Sequence, residues 1–191
     1  GFRAIGLDPG TVSDVIVTHM HYDHAGNHDL LPAARYHVQD CEMAYVTGRC
    51  MCHHLLRHPF EEEDVVAMVR KVYQGRVEFH DGTGTVAPGV TVHKVGGHSR
   101  GLQIVRVETE RGPVVLASDA SHYYEHIEND RAFSVLVDLS ELLEGYRTIR
   151  KLAPSMKHVV PGHDPAVFDR YPAAGPGLEG WAIRVDLEPN R

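Results

Sequence analysis

The chain has 191 residues, 42% hydrophobic and 24% charged, the make-up of a globular protein with enough apolar sequence for one sizeable core. Nineteen basic residues against 26 acidic ones leave a formal charge of −7, which argues against non-specific attraction to nucleic acid or to an anionic membrane. No apolar run approaches membrane-spanning length, and the longest, such as "PVVLA" at 113–117, has the size of a buried strand.

Residues 1–191 suit one domain better than two. Cys41, Cys50 and Cys52 fall within twelve positions; an odd, clustered count does not describe a disulfide framework, and reduced thiols in a cytoplasmic protein are expected. "CMCHH" at 50–54 lacks a second ligand pair at zinc-finger spacing and reads as helical surface or pocket wall. The chain opens on "GFRAIGLDPG" with no initiator methionine. It reads as a fragment or processed product, so missing targeting signals carry no weight.

In chain order, "SDVIVT" (13–18) is a β-branched run and reads as a buried strand. "NHDLLPAA" suits a helical turn and "RYHVQ" (35–39) a strand. From Cys41 to about Tyr73 the texture is helical, ending in "EEEDVVAMVRKVY", where Val65, Val66, Met68, Val69 and Val72 share a face and acids fill the first turn. Strands are expected at "RVEFH" (76–80), "VTVHKV" (90–95), "LQIVRVET" (102–109) and "PVVLAS" (113–118), with a hairpin at Arg111-Gly112. "LSELLEGYRTIRKLA" (139–153) places Leu139, Leu142, Leu143, Tyr146, Ile149 and Leu152 at helical spacing. "KHVVPGH" (157–163) and, after a Pro/Gly-rich connector, "WAIRVDL" close the series as strands. This is a mixed α/β pattern with much of its sheet in hairpins.

Four polar groups occupy the same kind of place. "DVIVT" runs into "HMHYDH", "VTVHKVGG" into His98, "PVVLAS" into Asp119 and "HVVPG" into His163. Strand ends gathered on one rim would give a rigidly supported site served by free loops. The candidate ligands are His19, His21, Asp23, His24, His98, Asp119 and His163. Imidazole with a few carboxylates suits Zn²⁺, Fe²⁺, Mn²⁺ or Co²⁺ better than Mg²⁺ or Ca²⁺. Seven ligands exceed the four of a structural zinc site, so two metals sharing a hydroxide, a hydrolytic device, is the economical reading. Of the other histidines, His28, His37, His80, His93, His126 and His158 are expected at the surface or in the core.

"THMHYDHAGN", "GGHSRGLQ" (96–103), "LASDAS" (116–121) and "VVPGHDP" (159–165) resemble, in that order and over most of the chain, the metallo-β-lactamase superfamily. Within it they are most similar to the N-acyl-homoserine-lactone lactonase branch. H-x-H-x-D-H is specific for the superfamily and says little about substrate. The resemblance implies an αββα sandwich with a dinuclear metal site at one edge, Zn²⁺ first and Fe, Mn or Co as alternatives. It assigns His19, His21 and His98 to one metal and Asp23, His24 and His163 to the other, with Asp119 bridging. It also gives Asp23 the protons of the hydroxide and the leaving alkoxide. Asp rather than Cys at 119, with His24 present, separates the chain from the main β-lactamases; His rather than Glu at 21 disfavours the flavodiiron oxidoreductases.

Two departures stand out. Where many lactonases of the branch place a Tyr three positions after the bridging Asp, this chain has His122, followed by Tyr123 and Tyr124. Either His122 or Tyr123 donates to the substrate carbonyl, or metal alone stabilises the oxyanion. Members also carry several strands ahead of H-x-H-x-D-H, and this chain has room for almost none. The first sheet is therefore expected to lack its opening strands and to leave an apolar face or edge uncovered.

The implied substrate is a lactone, N-acyl homoserine lactones first (quorum quenching). Rival readings are a glyoxalase II-like thioesterase, a small-ring lactonase such as one for a pyridoxine-derived lactone, a nuclease of the superfamily (disfavoured by the charge), and a protein that binds metal without activity. Residues 41–73, with Met43, Tyr45 and Met51, are expected to wall an acyl-chain pocket, form a homodimer contact, or cover the sheet. Met20 and Tyr22 either face the substrate or pack beneath the metals.

Overall fold

The computed structural model describes residues 1–190. Strands β1 (Asp14–Ile16), β2 (Arg35–Gln39) and β3 (Val77–His80) form an all-parallel sheet in that order. A second sheet runs β4 (Thr83–Ala87), β5 (Val90–Lys94), β6 (Gln103–Thr109), β7 (Gly112–Ser118) and β8 (Val159–Pro161). Its first four strands are an antiparallel meander, and β8 joins β7 in parallel. Hairpins thus build the second sheet but not the first.

Period-two alternation decides which side chains face where. On β2, Tyr36 and Val38 enter an apolar cluster with Met43 and Met68. These come from helices α2 (Asp40–Val46) and α4 (Glu62–Tyr73), which cover the outer face of the first sheet. On β6 and β7, Ile104, Val115 and Ala117 pack with Leu142, Tyr146 and Ile149 of helix α6 (Leu139–Leu152). Asp138 caps α6, its Oδ1 accepting from the Glu141 N–H at 3.0 Å. The layers are helix, sheet, sheet, helix, as the family resemblance implies. Among the described residues no helix is long and apolar enough to cross a membrane.

Between the sheets, below the strand ends, lies a polar cross-link. Gln39 and Gln103 are fully buried. Gln39 Nε2 donates to Gln103 Oε1 at 2.8 Å, and Gln103 Nε2 donates to the carbonyls of Val17 and His37 at 2.9 and 3.0 Å. Further along, Ile16, Val86, Val105, Val107, Leu116 and Val160 line an open groove of about 650 Å³ beside β1, the edge strand of its sheet. Of these residues only Ile16 belongs to the first sheet, where an uncovered apolar face was expected; the other five lie on the second.

Several expectations need correction. "WAIRVDL" forms no strand: one isolated bridge joins Ala173 to Ile183. The segment it would pair with carries Pro172 and Pro176, which lack the donors a ladder needs. Strand β4 was not foreseen, because "TGTVA" is short and poor in large apolar residues; pairing with β5 forms it. The 41–73 stretch is helical as expected, but broken into short pieces. It divides into α2, a 3₁₀ turn at Arg49–Cys52, α3 (His54–Arg57) and α4, with Gly48 and Pro59 between pieces.

Replacing Gln103 by Leu should lower stability by about 2–4 kcal/mol in urea denaturation, because two backbone carbonyls and the Gln39 amide lose their buried partner. The same change at exposed Gln74 should stay within about 0.5 kcal/mol.

Candidate metal centre

Strand direction brings the ligands together. Strands β5 and β7 both run antiparallel to β6, and β8 is parallel to β7, so their carboxyl ends lie on one rim. The end of β1 is fastened there by two bonds. Thr18 Oγ1 lies 2.9 Å from Ser118 Oγ, and Gln103 N–H donates to the Thr18 carbonyl at 2.9 Å. Thr18 and Ser118 immediately precede His19 and Asp119. Ser118 takes a positive φ of 46°, a strained conformation for a residue with a side chain. Gly162 lets the β8 loop close, since a Cβ there would stand 2.7 Å from Asp119 Oδ1 and 2.8 Å from the Ser118 carbonyl.

All seven predicted ligands meet at this rim. Ligand atoms of His19, His21 and His98 lie within 4.8 Å of one another, as do those of Asp23, His24 and His163, and those of His19, His24 and Asp119. Asp23 and His24 are carried by the short helix α1 (Tyr22–Ala25). Asp119 stands between the groups: its Oδ1 is 3.2 Å from His24 Nε2, and its Oδ2 is 3.3 Å from His98 Nε2 and 3.1 Å from His163 Nε2. Asp23 Oδ2 is 3.5 Å from His24 Nε2 and 3.7 Å from His163 Nε2. His98 Nδ1 donates to the Val135 carbonyl at 2.7 Å, which leaves its Nε2 as a bare lone pair aimed inward.

The donor set fits two divalent cations. Nε2 of His19, His24 and His98 and Oδ1 of Asp119 are buried without a hydrogen-bond partner, a costly state for polar atoms unless something binds them. Burial and neighbouring imidazoles hold His19 well below its usual pKa, and burial, then His98, pulls His21 down to about 3. Burial would raise the Asp119 carboxyl, but His122, His24 and His98 outweigh it and hold it far below the carboxylate range. Burial likewise opposes charge on His24, while Asp119 and Asp23 raise its pKa. The shifts at His19, His21 and Asp119 favour neutral imidazoles and an ionised carboxylate, the protonation states that cation binding requires.

His122 also reaches the cluster. Its Nε2 lies 3.1 Å from Asp119 Oδ2 and has no further hydrogen-bond partner among the described residues, and its ring stacks on Phe133 at 3.8 Å. Tyr123 stands outside the ligand groups, 43% exposed, with its ring 6.5 Å from that of His122. Met20 is fully buried in the first core cluster, beneath the ligands, and Tyr22 is exposed.

Beside His21 and His98 opens a pocket of about 190 Å³ walled by Tyr45, Leu55, Leu56, Phe60, Val135 and Leu136. Of the pocket residues expected from sequence, Tyr45 lines it. Met43 is buried in the core, and Met51 faces a different groove. Phe60, whose ring meets His21 edge-on at 4.6 Å, Phe133 and Val135 were not foreseen. Nothing in their local sequence marks them; they reach the site through the folding of two loops.

The family model described as the metallo-beta-lactamase superfamily matches residues 2–174. An N-acyl homoserine lactonase from Bacillus sp is 28% identical over 167 residues, covering 85% of this chain and 60% of the relative. N-acyl homoserine lactonase AttM from Rhizobium johnstonii is 27% identical over 179 residues, covering 90% and 65%. The chain thus spans about 60% of the length of the Bacillus relative and 65% of AttM. Among solved structures, a quorum-quenching N-acyl homoserine lactone hydrolase superposes with a TM-score of 0.70 at 25% identity, covering 85% of this chain and 62% of that one. AidC, a dizinc quorum-quenching lactonase, shares the fold at 18% identity and a TM-score of 0.66, over 86% and 61%. With seven candidate ligands on the rim of a two-sheet sandwich and a family match running nearly its whole length, the chain belongs to the metallo-β-lactamase superfamily.

Proposed function

We propose that this protein is a dinuclear metallohydrolase that opens lactone rings, N-acyl homoserine lactones first. The observation that carries the reading is the meeting of two ligand groups at buried Asp119, next to an apolar pocket. Support for the substrate comes from the relatives. A structure similar at 25% identity, with a TM-score of 0.70, holds the product N-hexanoyl-L-homoserine at its catalytic metal center. In this reading His19, His21 and His98 hold one cation, Asp23, His24 and His163 the other, and Asp119 both, with Zn²⁺ the first choice. The free thiols of Cys41, Cys50 and Cys52 support a cytoplasmic setting.

Bound cations would supply Lewis acidity and activate water near neutral pH. The chain's own groups do the rest. The pocket of Tyr45, Leu55, Leu56 and Phe60 receives the acyl chain and orients the ring. His122 donates from Nε2 to the lactone carbonyl oxygen as negative charge develops there, its ring held flat against Phe133. Water adds to the carbonyl carbon, the ring C–O bond breaks, and Asp23, at the solvent edge of the cluster, passes the proton to the departing alkoxide.

A panel of acyl homoserine lactones, small lactones and thioesters on zinc-loaded protein tests the reading. Hydrolysis of the acyl lactones is expected, and Asp119→Ala should lose more than about 100-fold, beyond the usual cost of a merely supporting residue. Cleavage of thioesters with no lactone opened would replace lactonase by thioesterase.

For His122, Phe in its place should lower kcat by about 100-fold, the scale of a lost oxyanion donor, while Gln, which keeps an N–H, should recover part of it. Equal kcat in the parent and His122→Phe proteins would remove His122 from the reaction.

A further inference from the structure

Helix α2 carries a charged group that none of this chemistry uses. Glu42 is fully buried, on a helix whose neighbouring Met43, Tyr45 and Val46 belong to the first apolar cluster. Its Oε1 accepts from the Met20 N–H at 2.9 Å, and its Oε2 from the Gly101 N–H at 2.7 Å. Ser99 Oγ lies 2.7 and 2.6 Å from the two oxygens. Met20 sits between His19 and His21, and Ser99 follows His98. One carboxylate therefore ties together the two loops that supply all three imidazoles of one ligand group, loops that leave different sheets.

The contact is built closely. A Cβ on Gly101 would stand 2.4 Å from both the nitrogen and the Cβ of Glu42, so only glycine lets that loop lie against α2. A carboxylate here is expensive: no lysine or arginine is among its hydrogen-bonding partners, and burial pushes its pKa up against the three donors. An apolar side chain would cover the sheet at less cost, as its neighbours do. What it could not do is bind two backbone N–H groups and a hydroxyl at once.

We propose that Glu42 is a positioning residue of the metal centre. Acting through Met20, Ser99 and Gly101, it clamps the His19–His21 loop against the His98 loop so that three imidazoles face one cation. It touches neither substrate nor cation, and its buried negative charge favours cations in the adjoining site. The inference rests on the metal-binding half of the functional reading and is independent of the substrate.

The test compares the parent chain with Glu42→Gln, which keeps the shape and removes the charge, and Ser99→Ala, which removes one arm. Three quantities are read: zinc affinity by chelator competition, the visible absorption of the cobalt-loaded protein, and the urea midpoint of the metal-free protein. Glu42→Gln should weaken one of two zinc sites by about 10–100-fold and change the cobalt spectrum, and Ser99→Ala should do the same to a smaller extent. Ile149→Val, in the other core, should lower the urea midpoint and leave affinity and spectrum unchanged. Unchanged affinity and spectrum in Glu42→Gln would overturn the proposal, whatever its stability. If that variant fails to fold, Ser99→Ala decides alone, and parental affinity in it is the contradicting result. A substrate panel showing no lactone hydrolysis would leave all three readouts intact, so the two readings fail separately.

Discussion

A buried carboxylate surrounded by imidazole nitrogens is the constraint on which the rest of this structure turns. Asp119 is approached within 3.1–3.3 Å by His24, His98, His122 and His163. Most of those nitrogens have no hydrogen-bond partner. In water each would be solvated; here each is shielded, and burial, then the neighbouring imidazoles, holds His19 and His21 below their usual pKa. Such a cluster opposes folding by itself. Divalent cations would reverse the sign, because the lone pairs facing them would meet positive charge, and metal binding would then be coupled to folding stability.

The architecture supplies what that cluster needs. Parallel β7 and β8, with β5 running the same way, deliver Asp119, His163 and His98 to one rim. The Thr18–Ser118 contact and the Gln39–Gln103 cross-link bring β1, from the other sheet, to the same place. Holding ligands to within a few tenths of an ångström takes such rigid supports, since loops alone would splay under the repulsion. The strain at Ser118 and the close approach at Gly162 are the local consequences of aiming Asp119 inward.

How much of this could be read from the residues alone follows from what kind of signal each part leaves. The gathering of His and Asp residues at strand ends was legible because a β-branched run followed by His or Asp is a local pattern, and β2 formed over the very residues expected, 35–39. The H-x-H-x-D-H segment made the metal reading direct. Strand β4 left no pattern, since its glycine and threonines pair only because β5 lies beside them. "WAIRVDL" has strand texture but no partner able to complete a ladder. Glu42 looks like any helical surface acid in one dimension; only the return of residues 99–101 to α2 buries it. Phe60, Phe133 and Val135 come to the site in the same way. Local chemistry was visible, and assembly by distant loops was not.

In the proposed function the choice among substrates belongs to the pocket walls rather than to the metal ligands, because any activated ester suits a dinuclear hydrolytic centre. The ligands carry the more basic claim, that two cations share Asp119. Anomalous diffraction at the zinc absorption edge, from zinc-loaded crystals of this chain, tests it most directly. The account predicts two peaks, one against His19, His21 and His98, the other against Asp23, His24 and His163, both touching Asp119. A single peak, or zinc bound away from Asp119, would contradict it.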